Sequence, residues 1–377
     1  MSSLPEAKTN VLVTGAAGFV GRNLCIELAR RPEVRLFRYD VDSESDELHR
    51  GLAAADFVLH LAGVNRPKNV EEFQLGNAGL TQEICSKLVE LGRTPRIVFS
   101  SSIQADRDNP YGQSKRAAEE ALQQYCATDG RTCVIYRLKN LFGKWCRPNY
   151  NSVTATFCHN IAHDIDITVS NPAAVIELTY IDDVVSAFLS ELAMERSNGC
   201  HVADPLPSQT VSLGNLAALI RSFRSHRKTL QVPDFSRPFV RALYATYLSY
   251  LPSGDFSYAL NVRTDDRGGL AELLKSPSFG QIFVSRTKPG ITRGNHYHHT
   301  KTEKFMVLQG RAVVRFRHIT GGDVLEYPVS GDEYRVVDIP PGYTHSIENV
   351  GADELVTLFW ASGVFDPDRP DTYRMPV

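Results

Sequence analysis

An α/β domain built on a doubly wound parallel sheet, followed by an all-β antiparallel jelly-roll barrel, is the architecture that three features of the sequence predict. The apolar run Asn10-Val-Leu-Val-Thr14 feeds straight into the glycine turn Gly15-Ala-Ala-Gly18-Phe-Val-Gly21 and a helical pattern through Arg30, the strand-turn-helix unit that opens a doubly wound sheet. Further buried-strand runs at 34–39, 56–61 and 95–102 alternate with helical patterns, as a parallel sheet requires. Beyond residue 280 the texture changes to short strand-like runs separated by turns, at 281–284, 305–308, 312–316, 334–337 and 355–360, which indicates an antiparallel barrel.

A chain of 377 residues exceeds one typical domain. The expected division is residues 1–245 for the α/β domain, 246–262 for a linker marked by Pro252 and Gly254, and 263–377 for the barrel. Apolar content of 42% and charged content of 22% describe an ordinary globular protein. A net charge of -2 gives no electrostatic basis for binding nucleic acid or an anionic membrane, so neither is expected as a partner. With no export-type apolar segment near Met1 and no run long enough to span a bilayer, the expectation is a cytoplasmic enzyme. The 7 cysteines all precede position 201 and include no Cys-x-x-Cys pair, so they read as reduced packing residues.

Each element of the first domain carries a chemical expectation. Glycines at 15, 18 and 21 allow a tight turn and close approach of backbone amides to a pyrophosphate at the helix amino end. The second strand ends in Asp40, where a ribose-binding acid belongs and favours NAD, whereas Arg22 and Arg38 argue for NADP. With the strand-end residues Leu61 and Ala62, the expected dinucleotide contacts are Gly15, Gly18, Phe19, Val20, Gly21, Asp40, Leu61, Ala62 and Lys115. A strand ending in Ser100-Ser-Ser102 precedes Tyr111-Gly-Gln-Ser-Lys115, whose phenol and ammonium share one helix face. A nearby cation should lower the tyrosine pKa, as a general acid facing a ketone requires, and Ser102 can hold the same carbonyl oxygen. Asn65, Arg66 and Arg147 lie in polar, basic clusters beside these motifs, where arginine can grip a diphosphate with paired hydrogen bonds.

In the second domain, His296 and His298 are two apart, which on a strand sends both to one face. A hairpin could return Glu303 toward them, and His345 in Pro340-Pro-Gly-Tyr-Thr-His345 is a fourth candidate. Imidazole and carboxylate together suit one divalent ion, zinc first, with manganese or iron as competitors.

The first domain resembles the extended short-chain dehydrogenase/reductase family, a Rossmann-type fold, through Thr14-Gly15-x-x-Gly18-x-x-Gly21, 56–63, Asn77, the serines, Tyr111/Lys115, Arg137 to Gly143 and Tyr180-Ile-Asp-Asp183. That resemblance implies that Ser102, Tyr111 and Lys115 are catalytic and that Asn140 faces a nucleotide-sugar diphosphate. Only eight residues separate Ser102 from Tyr111, fewer than usual, which leaves the choice among Ser100, Ser101 and Ser102 open. The second domain resembles the cupin superfamily through Gly290, His296, His298, Glu303 and Gly310, then Pro340, Gly342, His345 and Asn349; by that resemblance His296, His298, Glu303 and His345 are the metal ligands. Segments such as 60–67, 140–152, 246–252 and 288–292 extend the likeness nearly end to end, to the CapF-type bifunctional enzymes of bacterial capsule and lipopolysaccharide biosynthesis.

The resemblance implies a homodimer acting on a UDP-activated 4-keto amino sugar. Its cupin domain would epimerise C3 of a UDP-2-acetamido-2,6-dideoxy-4-hexulose, and its reductase domain would reduce the C4 ketone with NADPH on the path to UDP-N-acetyl-L-fucosamine, giving UDP-2-acetamido-2,6-dideoxy-L-talose. NADH stays open because of Asp40. The alternative is a nucleotide-sugar 4-epimerase or dehydratase that retains NAD, with a non-catalytic cupin for dimerisation. A cupin oxygenase fused to a carrier domain is the remote option.

Overall fold

The computed structural model describes residues 8–377. The chain folds as two compact units, one taking the described residues up to Ile220 together with Ala242–Leu251, the other Arg221–Arg241 and Pro252–Val377. The sequence reading drew a single passage between domains, whereas the chain makes it in two stages. Leu230–Val232 explains the first stage, because its backbone bonds to that of Lys275 (Lys275 N to Leu230 O, 2.7 Å; Val232 N to Lys275 O, 2.9 Å). The expected linker then begins inside the helix Pro238–Leu248.

The first unit is organised on a six-stranded sheet in the order Val34–Tyr39, Thr9–Thr14, Phe57–His60, Arg96–Ser102, Thr132–Leu138, Gly199–Val202, all neighbours being parallel. Both faces are covered, which is why the strands read as continuous apolar runs. Val11 and Val13 point into one core with Leu24, Leu28 and Phe188, while Leu12 points into the other with Leu48, Leu52, Leu88 and Leu122. The chain runs outward from the first strand to Val34–Tyr39 and returns on the other side at Phe57–His60, so the crevice at the carboxyl ends of Thr9–Thr14 and Phe57–His60 is the switch point where doubly wound sheets bind ligands. A second, three-stranded sheet (Asn140–Phe142, Val175–Tyr180, Gln209–Ser212) lies in the same unit.

The second unit is an antiparallel jelly roll of two sheets. One orders Val262–Asp265, Gly268–Ser276, Gly280–Thr287, Leu355–Ala361, Glu303–Gln309 and Val336–Ile339; the other orders Leu325–Ser330, Arg311–His318, Tyr343–Asn349, Thr292–Tyr297 and Tyr373–Arg374. Period-two alternation sends Phe305, Val307, Val314, Phe316, Ile347 and Phe359 into a shared core. Strand Leu355–Ala361 shows the alternation at every residue.

Candidate active site and candidate metal centre

The switch-point crevice opens into a cavity of about 1310 Å³ lined by all nine expected dinucleotide contacts, Gly15, Gly18, Phe19, Val20, Gly21, Asp40, Leu61, Ala62 and Lys115, and by Arg22. Gly15 has φ +69, and a Cβ there would lie 2.7 Å from the Ala62 nitrogen, so only glycine lets the two strand-end turns meet. A Cβ at Gly21 would lie 2.1 Å from the Gly15 carbonyl oxygen, which fixes close packing of helix on turn. Helix Phe19–Ala29 starts at Gly18 without a side-chain cap, leaving first-turn amides free for an anion. Asp40 braces this loop, accepting the Ala17 N–H at 2.6 Å and its neighbour Val41 N–H at 2.8 Å.

Ser102, Tyr111, Asn65, Asn140 and Arg147 line the same cavity. Arg66 lies one step back, its guanidinium over the Tyr150 ring at 5.8 Å while that of Arg147 stacks on the same ring at 5.0 Å. Neither arginine forms an ion pair among the described residues.

The short Ser102-to-Tyr111 connection is a single 3-10 turn, Ile103–Asp106, followed by the helix Pro110–Cys126 with Asn109 as its cap (Asn109 Oδ1 accepting the Gly112 N–H, 2.9 Å) and Pro110 in its first turn. Gly112 makes it fit, because a Cβ there would lie 2.1 Å from the Gln104 carbonyl oxygen. The three serines separate by partner. The Ser100 carbonyl accepts the Lys115 ammonium at 3.0 Å. The Ser101 hydroxyl donates to Glu119 Oε1 at 2.5 Å, a carboxylate held by Arg137 at 2.6 Å. Ser102 is the one of the three that acts on Tyr111, its hydroxyl favouring the phenolate, and both line the cavity.

Burial pushes Tyr111 up while the Ser102 hydrogen bond pulls it down, and the net direction is upward. The cationic lowering expected from Lys115 is not what the structure shows, because the ammonium is turned to the Ser100 carbonyl. Burial lowers Lys115 to about 8, partly offset by Glu119. A Cβ at Gly63 would lie 2.7 Å from Asn77 Oδ1 and 3.1 Å from the Lys115 ammonium, so this glycine makes room for both. Asn77 sits in a π-helical turn, Gln74–Gly79, the irregularity that recurs at functional sites, and its amide donates to Ser114 Oγ at 2.9 Å.

Sequence reasoning missed His60. Its ring is fully buried between Thr14 Oγ1 (2.7 Å from Nδ1) and Thr81 Oγ1 (3.0 Å from Nε2). Thr81 donates to the Asn77 carbonyl at 2.8 Å, so it accepts from Nε2–H, and Thr14 donates to Nδ1. Burial and the Lys115 charge lower His60 to about 3.

In the second unit His296, His298, Glu303 and His345 bring one donor atom each within 4.8 Å of one another. The expected hairpin is not how they meet. Strand Thr292–Tyr297 pairs with Tyr343–Asn349, placing His296 opposite His345 after a bulge, and Glu303 comes from the other sheet. His298 lies one residue past its strand. The carboxylate therefore reaches the imidazoles across the packing of two sheets. Nε2 of His298 and of His345 are buried without a hydrogen-bond partner, 3.5 and 3.6 Å from Glu303 Oε2. Burial and the neighbouring imidazoles lower His296 to about 4. Burial would raise Glu303, but the facing imidazoles of His298 and His345 and the Lys301 charge hold it well below the usual carboxylate range. Three imidazoles, an ionised carboxylate and two orphaned buried nitrogens are the kind of donor set that suits a divalent ion.

A glycine-turn dinucleotide cleft with a Ser-Tyr-Lys set at its rim defines a nicotinamide-dependent enzyme class. The chain belongs to the NAD dependent epimerase/dehydratase family, whose profile matches residues 11–202, and residues 263–373 match the polysaccharide biosynthesis C-terminal domain. Along nearly its whole length it is 46% identical to the UDP-2-acetamido-2,6-beta-L-arabino-hexul-4-ose reductase of Pseudomonas aeruginosa, covering 97% of this chain and 98% of that protein. The crystal structure of the capsular polysaccharide assembling protein CapF from Staphylococcus aureus superposes with a TM-score of 0.90 at 45% identity, covering 98% of this chain and 100% of that one. These full-length matches bear out the resemblance to CapF-type enzymes and with it the Rossmann-plus-cupin architecture. The UDP-glucuronic acid 4-epimerase of Bacillus cereus shares the fold alone (17% identity, TM-score 0.55, 64% of this chain and 99% of that one). Among the described residues no helix is long and apolar enough to cross a membrane.

Proposed function

We propose that the chain is a bifunctional UDP-sugar enzyme in which the barrel, 263–377, epimerises C3 of a UDP-2-acetamido-2,6-dideoxy-4-hexulose and the α/β domain, 1–245, reduces its C4 ketone to give UDP-2-acetamido-2,6-dideoxy-L-talose. The observation that carries this reading is that one chain holds both a Ser-Tyr-Lys set beside a dinucleotide cleft and a converged three-imidazole, one-carboxylate quartet. Reductase activity is what the Pseudomonas aeruginosa relative is named for. The cavity of about 1310 Å³ exceeds what a single drug-sized ligand fills and suits a dinucleotide together with a nucleotide sugar.

A reduced nicotinamide, NADPH or NADH, supplies the hydride when bound. Gly15, Gly18, Gly21 and the amides of Phe19 and Val20 would cradle its pyrophosphate, Asp40 its ribose, and Leu61 and Ala62 the wall beside it. Tyr111 Oη gives its proton to the C4 oxygen as C4 gains the hydride, Ser102 Oγ donates to the same oxygen, and Lys115, held on the Ser100 carbonyl at the cavity wall, would contact the bound dinucleotide. Arg147, braced on Tyr150 with Arg66 behind it, would grip the diphosphate, with Asn65 and Asn140 on the cavity wall. In the barrel His296, His298, Glu303 and His345 would hold one divalent ion, zinc first, which supplies Lewis acidity toward a carbonyl. The C3 hydrogen is acidic because it adjoins the C4 ketone, so removal and return on the opposite face inverts that carbon with no net redox change. The homodimer and a cytoplasmic setting are part of the proposal, the first tested by light scattering.

The test is incubation of the purified chain with the UDP-4-keto sugar in deuterated buffer. Expected are deuterium at C3 without nicotinamide, and with NADPH or NADH a stoichiometric loss of absorbance and a talo product by NMR. Turnover at constant absorbance would establish instead the retained-NAD epimerase.

A further inference from the structure

We infer that Asp371 is a positioning residue for the metal quartet: its backbone carbonyl sets the tautomer and aim of His298, and its carboxylate locks that carbonyl in place. This rests on the reading of the quartet as an ion site. His298 Nδ1–H donates to the Asp371 carbonyl at 2.6 Å. A carbonyl only accepts, so Nδ1 carries a proton and Nε2, buried without a hydrogen-bond partner and 3.5 Å from Glu303 Oε2, is the ring nitrogen left to ligate an ion. His345 has no equivalent clamp, its Nδ1 lying 3.5 Å from the Tyr343 carbonyl.

The Asp371 side chain closes the same link from the other direction. Oδ1 accepts the His299 N–H at 2.9 Å, and Oδ2 accepts the Thr300 N–H at 2.9 Å, the Lys301 N–H at 2.8 Å and the Thr300 hydroxyl at 2.9 Å. Three consecutive amides following the ligand thus converge on one carboxylate. Asp371 has φ +41, a left-handed conformation that aspartate tolerates better than most residues. Next along the chain, Tyr373–Arg374 pairs with Tyr297 and His296 (His296 opposite Arg374), and Met375 N donates to the Asn295 carbonyl at 2.9 Å. The stretch 371–375 therefore holds both members of the His-x-His pair. Partners that orient a ligating imidazole usually change metal affinity 10- to 100-fold when lost.

The experiment measures zinc affinity of the full-length protein by competition with a chelating dye, and the visible spectrum of its cobalt-substituted form. Asp371→Gly keeps the left-handed backbone accessible but removes the carboxylate, and Asp371→Asn retains one acceptor oxygen. Expected is a loss of zinc affinity of about 10- to 100-fold in Asp371→Gly, a smaller loss in Asp371→Asn, and shifted cobalt bands in both. Wild-type affinity with an unshifted cobalt spectrum in either folded variant overturns the inference while leaving the metal reading intact. A wild-type protein that binds neither ion overturns both. Should Asp371→Gly fail to fold, Asp371→Asn decides the question by the same two readouts.

Discussion

The cleft and the His-Glu quartet use burial to opposite ends. In the cleft, desolvation raises Tyr111 and lowers Lys115 to about 8, bringing a cation close to the pH at which it can lose its charge. In the barrel, desolvation lowers His296 to about 4, beside two buried imidazole nitrogens, of His298 and His345, that have no hydrogen-bond partner. The difference teaches that the same physical term suits a proton-handling role where the partners are hydroxyl and ammonium, and would suit an ion-holding one where they are imidazole and carboxylate. The two are also built differently. Ser102, Tyr111 and Lys115 come from one strand and one helix joined by a short turn, whereas the quartet is collected from two sheets and steadied by a residue 73 positions from His298.

Substitutions can break this comparison. Tyr111→Phe removes the proton source and should slow nicotinamide oxidation by about 10³-fold, while deuterium exchange at C3 continues; loss of exchange as well would show that the two sites are not separate. His345→Ala removes a fully buried donor and should weaken zinc binding by more than about 100-fold, beyond what an orienting partner contributes, with nicotinamide oxidation of a pre-epimerised sugar retained. Elemental analysis and the absorbance assay read the two arms.

Smaller effects sharpen the contrast. Glu119→Gln leaves Arg137 without its buried counter-ion and loosens Ser101, so chemical denaturation should show a loss of about 2–4 kcal/mol. Because burial lowers Lys115 to about 8, its charge is present below that pH and lost above it. Accordingly kcat/KM for reduction should fall on the alkaline side near pH 8, and Lys115→Arg should move that limb upward in whatever activity remains. The exchange reaction in the barrel should show no such limb. Gly63→Ala should give the mildest change, about 10-fold in kcat, because the intruding Cβ meets the ends of two side chains, Asn77 and Lys115, rather than backbone.

Local chemistry was legible in the sequence wherever a site is made of neighbours. The Gly15 to Gly21 turn, Asp40 at the end of its strand and the Tyr111/Lys115 pair all lie where the spacing placed them. Partnership was less legible. Three consecutive serines look alike in a string, and only the packing of Glu119 and Tyr111 separates Ser101 from Ser102. The four candidate donors were visible, but their route together was not, because sheet-on-sheet packing leaves no spacing rule between His296 and Glu303. The strands Leu325–Ser330 and Tyr373–Arg374 escaped notice since both are exposed along most of their length and lack an apolar run. Asp371 gave no signal either: an aspartate that serves through its main chain looks like any loop acid.

His60 has a consequence for anyone titrating this enzyme. Wedged between two threonine hydroxyls and lowered to about 3, the imidazole beneath the cofactor turn stays uncharged from mildly acidic to strongly alkaline buffer. It is electrically mute where histidines ordinarily speak, so an inflection between pH 5 and 8 in hydride transfer has to originate elsewhere.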